Sequence, residues 1–155
     1  LKWAFGFPDA IRARSQPAIA LGALFVGSQD GTVYAFDLKT GCARWTHKVP
    51  AEVRTAIVVE PGNAKNPRLF FGDFLGRVYA LDALSGRELW RRRLDDHPYA
   101  TITGTPIYAP GNFYVGKRPI ASIAWQPVEE SKITVRTPFL ASFWQTYESE
   151  VASRN

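Results

Sequence analysis

The 155-residue chain contains no methionine, one cysteine and two histidines, and it has no apolar run long enough to span a bilayer. A single thiol, Cys42, excludes an internal disulfide and any multi-cysteine metal site, so cysteine usage says little about redox compartment. His47 and His97 stand too far apart to form a recognisable metal pair, and each reads as a surface or packing side chain. No leader is visible at Leu1, and without a methionine the natural start is expected to lie elsewhere. Charge of one sign is also poorly organised. The formal excess of +5 is spread along the chain, and its densest run, Arg91-Arg92-Arg93, is followed by Asp95-Asp96. No helix or aromatic platform accompanies that run, which therefore reads as a solvated strand and not as a nucleic-acid surface.

Repetition is what the sequence does contain. Leu24 to Val49 and Leu69 to Leu94 are one 26-residue unit written twice, 45 positions apart. Ten positions are identical: Leu24/Leu69, Phe25/Phe70, Gly27/Gly72, Gly31/Gly76, Val33/Val78, Tyr34/Tyr79, Ala35/Ala80, Asp37/Asp82, Gly41/Gly86 and Trp45/Trp90. The first unit reads as strand Ala23 to Gly27, turn Ser28 to Gly31, strand Thr32 to Asp37, turn Leu38 to Gly41 and strand Cys42 to Val49. Asp and Thr side chains bond local amides and glycine accepts positive φ, so these turns join antiparallel strands. Short apolar strands upstream, Pro17 to Ala20 and Ala56 to Val59, bring the count to four per repeat, with Pro61 to Pro67 as a loop insertion. A period of 40 to 50 residues built this way is the sequence form of a β-propeller blade.

The flanks add copies. Pro106 to Gly116 (PIYAPGNFYVG) aligns without a gap on Pro17 to Gly27 (PAIALGALFVG), so a third blade is expected to begin near Thr103. Trp3 precedes Trp45 by 42 residues, which makes Leu1 to Phe5 the expected last strand of a preceding blade. The expected fold is all-β: a partial β-propeller of four-stranded antiparallel blades, two whole blades (near 14–49 and 54–94) plus parts of two more, over residues 1–116. Because blades bury their faces against neighbours and rings usually close with four to eight, the chain is expected to be a piece of a ring.

Both units carry Ala-x-Asp-x-x-(Thr/Ser)-Gly-x-x-x-Trp: Ala35, Asp37, Thr40, Gly41, Trp45, then Ala80, Asp82, Ser85, Gly86, Trp90. This pattern resembles the tryptophan-docking motif of quinoprotein-type propellers, and its role is expected to be core packing. Over Leu1 to about Val115, LKWAFGFP, SQPAIALGALFVGSQDGTVYAFDLKTGCARW, VRTAIVV, LFFGD and HPYATITGTPIY together resemble polyvinyl-alcohol-dehydrogenase-type quinoproteins. That resemblance implies a periplasmic or secreted enzyme carrying pyrroloquinoline quinone (PQQ), usually with Ca²⁺ beside the quinone. It also implies an alcohol-bearing substrate and a cytochrome electron acceptor, while the chain, as an open piece of a ring, is expected to be inactive alone. The alternative is a non-catalytic propeller serving as a protein-binding scaffold, as in the outer-membrane assembly lipoprotein whose blades share the motif. WD-repeat propellers fit less well, because Phe36 and Leu81 stand where their tryptophan precedes the Asp, and no Gly-His dipeptide opens either unit.

In a propeller the loops leading into the innermost strands face the central site. Here they are Arg14-Ser15-Gln16, Val53-Arg54-Thr55 and Thr103-Gly104-Thr105. PQQ bears three carboxylates, for which a guanidinium is the matching partner, and Arg54 is the leading candidate. The same residue also reads as half of a salt bridge at the blade end. Arg14 is the weaker candidate, one position earlier in its lead-in. The hydroxyls of Ser15, Thr55, Thr103 and Thr105 are candidates to donate to quinone oxygens. Alcohol oxidation needs a general base, but Asp73, Asp95 and Asp96 lie in no diagnostic motif and none is assigned. After Gly116 the blade pattern stops, leaving 117–155 as a non-repeat tail that reads as an insertion, a misassembled gene or a frameshift product. Phe139, Phe143, Tyr147 and Val151 recur every four residues there, which predicts a short amphipathic helix over 138–152.

Overall fold

Alternating apolar residues and glycine turns form ten strands in the computed structural model, which describes residues 1–115 apart from 13, 61, 63–64, 95–99 and 110–111. The tail 117–155 with its expected helix, and Asp95, Asp96 and His97, lie outside the described residues. One antiparallel sheet comprises β1 (Ala18–Ala20), β2 (Ala23–Gly27), β3 (Thr32–Asp37) and β4 (Ala43–Lys48), in that order. The second repeats it with β5 (Val58–Val59), β6 (Arg68–Gly72), β7 (Arg77–Asp82) and β8 (Glu88–Arg93), and β9 (Ile107–Ala109) pairs with β10 (Asn112–Tyr114) as a third opening hairpin. The architecture is a partial β-propeller. Among the described residues no helix is long and apolar enough to cross a membrane.

Alternation of side chains across each strand gives every sheet two apolar faces. One face of the first blade, with Ala23, Phe25, Val33, Ala35 and Trp45, meets Leu69, Phe71, Tyr79 and Leu81 of the second. The equivalent face of the second, with Phe70, Val78, Ala80 and Trp90, turns to Ile102 and Val115. Each fully buried large apolar side chain contributes about 1.5–3 kcal/mol, so the stacking of blades is the main stabilising term. Blade contact also explains two repeated glycines. A Cβ at Gly27 would overlap Val53, and one at Gly72 would stand 2.6 Å from Ile102 Cγ2.

The tryptophan motif works between blades. Trp45 donates its indole N–H to the Ala83 carbonyl at 3.1 Å and lies over Gly86, whose φ is +72° and where a Cβ would come within 2.5 Å of the ring. Trp3 does the same one blade earlier, donating to Leu38 O at 3.3 Å and covering Gly41. The turns are tied down by Asp37 Oδ1, which accepts from Lys39 N and Thr40 N, and by Asp82 Oδ1, which accepts from Leu84 N and Ser85 N. In one respect the expectation needs correction: Leu1 to Phe5 form no strand. A strand requires a laddered neighbour, and no described residue supplies one; the segment is held by its rings, with Phe5 4.6 Å and Trp3 5.9 Å from Phe36.

Candidate functional site

Three pairings fix the register of the innermost strands: Ala18 with Phe25, Val58 with Phe70 and Ile107 with Tyr114. Phe25 and Phe70 are repeat partners and Tyr114 takes the same place in the third hairpin, so Ala18, Val58 and Ile107 are equivalent. Counting back four residues makes Arg14, Arg54 and Thr103 equivalent, followed by Ser15, Thr55 and Gly104. Arg14 is therefore level with Arg54 and not one position earlier, because the lead-ins align on the strands that follow them. Arg14 is exposed and makes no ion pair among the described residues, Arg54 is half-buried, and Thr103, Gly104 and Thr105 are exposed.

The hydroxyls that follow the arginines are already occupied. Ser15 Oγ accepts from Gly27 N at 3.2 Å and donates to Thr55 O at 2.8 Å. Thr55 Oγ1 accepts from Gly72 N at 2.9 Å and donates to Gly72 O at 3.3 Å, in a fully buried position. Both side chains tie an inner-strand lead-in to the blade glycine that a neighbouring side chain abuts. Their geometry serves packing, so of the candidate hydroxyls only Thr103 and Thr105 face solvent.

Arg54 is built differently. Its Nη2 lies 2.7 Å from Glu52 Oε2, and its guanidinium carbon is 4.0 Å from the centroid of the Phe74 ring. Phe74 is brought there by its own amide, which donates to Glu52 O at 2.9 Å. The salt bridge read as an alternative is thus present. It is incomplete, however: Arg54 Nε and Glu52 Oε1 are buried and have no hydrogen-bond partner among the described residues. The Arg68–Glu60 pair shows the contrast, with Nε to Oε2 at 2.8 Å and Nη2 to Oε1 at 2.9 Å. An unsatisfied buried polar group costs about 1–3 kcal/mol, more when charged, so the unpartnered Nε–H of Arg54 would be stabilised by a carboxylate oxygen; Gln29 Oε1, His47 Nε2 and Arg77 Nη1 are likewise buried and unpartnered among the described residues. Sequence reasoning missed Glu52 and Phe74. Glu52 sits two residues from Arg54, the spacing of one face of an extended segment, and Phe74 replaces Gln29 of the first unit, a break in the repeat at the tip of a turn.

Other titratable groups are committed elsewhere. Asp73 is fully buried; its Oδ1 accepts from Leu75 N and Arg77 N, both at 2.9 Å, and its Oδ2 accepts from Tyr79 OH at 2.8 Å. Burial, with the Asp73 carboxylate beside it, pushes the Tyr79 phenol up and keeps it a donor. A carboxylate so enclosed cannot reach a substrate proton. His47 Nε2 faces Glu88 Oε2 across the blade boundary at 3.6 Å, a packing position. Among the described residues no three of His, Cys, Asp and Glu are grouped to hold a metal ion.

Known proteins resemble this chain over most of its length. Polyvinylalcohol dehydrogenase of a Pseudomonas species is 38% identical over 125 residues, covering 79% of this chain and 19% of the relative. The 1-butanol dehydrogenase (cytochrome c) of Thauera butanivorans is 29% identical over 130 residues, 75% of this chain and 18% of the relative. Quinohemoprotein alcohol dehydrogenase from Comamonas testosteroni shares the fold, with a TM-score of 0.59 at 24% identity over 69% of this chain and 17% of that one. The chain spans about a fifth of the length of the curated relatives it matches. A PQQ-repeat family model, described as outer membrane protein assembly factor BamB, matches residues 3–138, and the chain belongs to that family of PQQ-repeat propellers.

Proposed function

We propose that this chain contributes blades to a PQQ-dependent alcohol dehydrogenase, with Arg54 holding a carboxylate of the cofactor. The observation that carries the reading is the unspent, buried Nε–H of Arg54 at the lead-in to an innermost strand. Support comes from the likeness to a polyvinylalcohol dehydrogenase, which extends over most of the chain. Arg14 and Thr103 hold the equivalent places on adjacent blades, and Thr105 follows Thr103 two residues on. These residues would complete the contacts from this arc of the ring. Bound PQQ would supply the two-electron acceptor for oxidation of an alcohol; the residues of this chain would bind and orient it. An alcohol-bearing substrate, a cytochrome acceptor, Ca²⁺ beside the quinone and a periplasmic or secreted location belong to the same proposal. Ca²⁺ ligands are assigned to no described residue.

A chimera tests it. Residues 14–115 replace the matching stretch of the Pseudomonas polyvinylalcohol dehydrogenase, and PQQ binding is followed by tryptophan quenching alongside alcohol-dependent dye reduction. Binding should survive, and Arg54→Ala in the chimera should weaken it roughly ten- to a hundredfold, the range for losing a charge-assisted hydrogen bond. A folded chimera that binds no PQQ would overturn the proposal and favour the scaffold reading, in which Glu52 simply neutralises Arg54.

A further inference from the structure

The Arg54–Glu52 pair leaves two unsatisfied groups of opposite kind: a donor at Arg54 Nε and an acceptor at Glu52 Oε1. We propose that Glu52 is a specificity-determining residue, so that the pair selects a ligand offering a carboxylate to Arg54 together with an N–H or O–H donor to Glu52. This inference rests on the PQQ reading above and deepens it, since PQQ carries a pyrrole N–H as well as carboxylates.

Three features support it. First, the chain can build a closed arginine–glutamate fork, as Arg68 and Glu60 do with two contacts of 2.8 and 2.9 Å, yet here only the 2.7 Å Nη2–Oε2 contact forms. Second, the guanidinium is fixed before any ligand arrives. Phe74 supports its face at 4.0 Å, and Phe74 is in turn held by the Glu52 carbonyl, so one short segment sets the position of donor and acceptor together. A pre-positioned pair loses little freedom on binding. Third, the pair is formally neutral, while Arg14 at the equivalent place on the preceding blade adds a cation with no ion pair among the described residues. The local balance therefore favours an anion, and Glu52 demands that the anion also donate. An anion lacking a donor would leave Glu52 Oε1 unpaired as it already is, whereas one that donates would satisfy it, and that difference is the means of selection.

The test uses two small probes on the whole chain: pyrrole-2-carboxylate, which has both groups, and 1-methylpyrrole-2-carboxylate, which lacks the donor. Binding is read from the side-chain Nε–H resonance of Arg54 in a ¹H–¹⁵N spectrum. The expected result is a shift of that resonance by both probes, with the N–H probe bound about tenfold more tightly, as one hydrogen bond to a charged group carries. In Glu52→Ala the preference should vanish while the N-methyl probe still shifts Arg54; Glu52→Gln, which keeps a carbonyl acceptor, should restore part of it. Equal affinity of the two probes for the parent chain, or a preference that survives in Glu52→Ala, would overturn the inference, as would failure of both probes to shift Arg54. PQQ binding by the chimera stands apart: if the chimera binds PQQ while the probes are not distinguished, only the role of Glu52 fails. Conversely, probes distinguished by a chain whose chimera binds no PQQ would keep the recognition pair and remove the cofactor assignment.

Discussion

Replacing Gly86 by alanine should detach the second blade from the first, and the size of the effect follows from two separable terms. At φ +72° an L-residue is strained by about 1–2 kcal/mol. The added Cβ would also come within 2.5 Å of the Trp45 ring, so the indole must move. Movement loses its hydrogen bond to Ala83 O, about 0.5–1.5 kcal/mol, and roughly half of its burial, about another 1–1.5 kcal/mol. The total is about 2.5–5 kcal/mol. Gly62 supplies the control, because its φ is +82° but no described residue lies within 4 Å of its Cβ position, so alanine there should cost only the backbone strain. With a urea slope of about 1.5 kcal/mol per M, Gly86→Ala should lower the midpoint by about 2 M or more, and Gly62→Ala by about 1 M. Combining Gly86→Ala with Trp45→Ala should reduce the cost of the glycine change to the strain alone. Equal midpoints for Gly86→Ala and Gly62→Ala, at unchanged slope, would refute tryptophan docking as the blade clasp.

Two further outcomes follow from the turns and the lead-ins. Asp37, Asp82 and Asp30 are held below their ordinary value of 3.8: Asp37 first by Arg44, Asp82 first by the amide of Ser85, and Asp30 by Lys48 and Thr32 against the larger opposing effect of burial. The unfolded chain then takes up these protons before the folded one. The stability they supply is complete above the ordinary value and is lost as pH falls below it; urea midpoints measured from pH 6 down to 2.5 should decline, and Asp82→Asn should flatten that decline. An unchanged acid limb in Asp82→Asn would count against the turn assignment. Thr55→Val should cost about 1–3 kcal/mol by stranding the Gly72 amide, whereas Thr105→Val, at an exposed site, should leave the urea midpoint almost unmoved; similar losses would contradict the division between clamping and solvent-facing hydroxyls.

The fold was legible because repetition marks the positions where blades touch. Gly27 and Gly72 recur where Val53 and Ile102 press in, and Gly41 and Gly86 recur where Trp3 and Trp45 lie, so each of these glycine identities answers a steric demand that the blade boundaries repeat. Lead-ins are legible only after the strands beyond them are paired. The insertion around Pro61 to Pro67 lengthens the second unit between β5 and β6, so reading from the tryptophans shifts Arg14 against Arg54, while reading from Ala18 and Val58 does not. Hydroxyl function was illegible for another reason. Thr55 and Thr105 are chemically alike, and only the position of the Gly72 amide decides that one is a clamp. Glu52 and Phe74 escaped notice because the repeat holds neither constant: Glu52 lies between the two units, and Phe74 stands where the first unit has Gln29.

Those unrepeated positions are where a ligand can be recognised at all. A ring of identical blades would present identical groups around its axis, and PQQ, the ligand proposed above, with carboxylates and a pyrrole N–H at unlike positions on one rigid skeleton, has no such symmetry. Equivalent stations must therefore differ. Along this arc they read Arg14, Arg54 and Thr103, followed by Ser15, Thr55 and Gly104, on backbones held in common register by the strands that follow. Buried hydroxyls at two of these stations preserve the shared geometry, while the preceding residues change from cation to hydroxyl. Glu52 and Phe74 then individualise one station further, turning a generic arginine into a directed donor beside an acceptor. Substituting Thr103 by arginine would restore sameness across three blades, and on this reasoning it would add positive charge without adding selectivity.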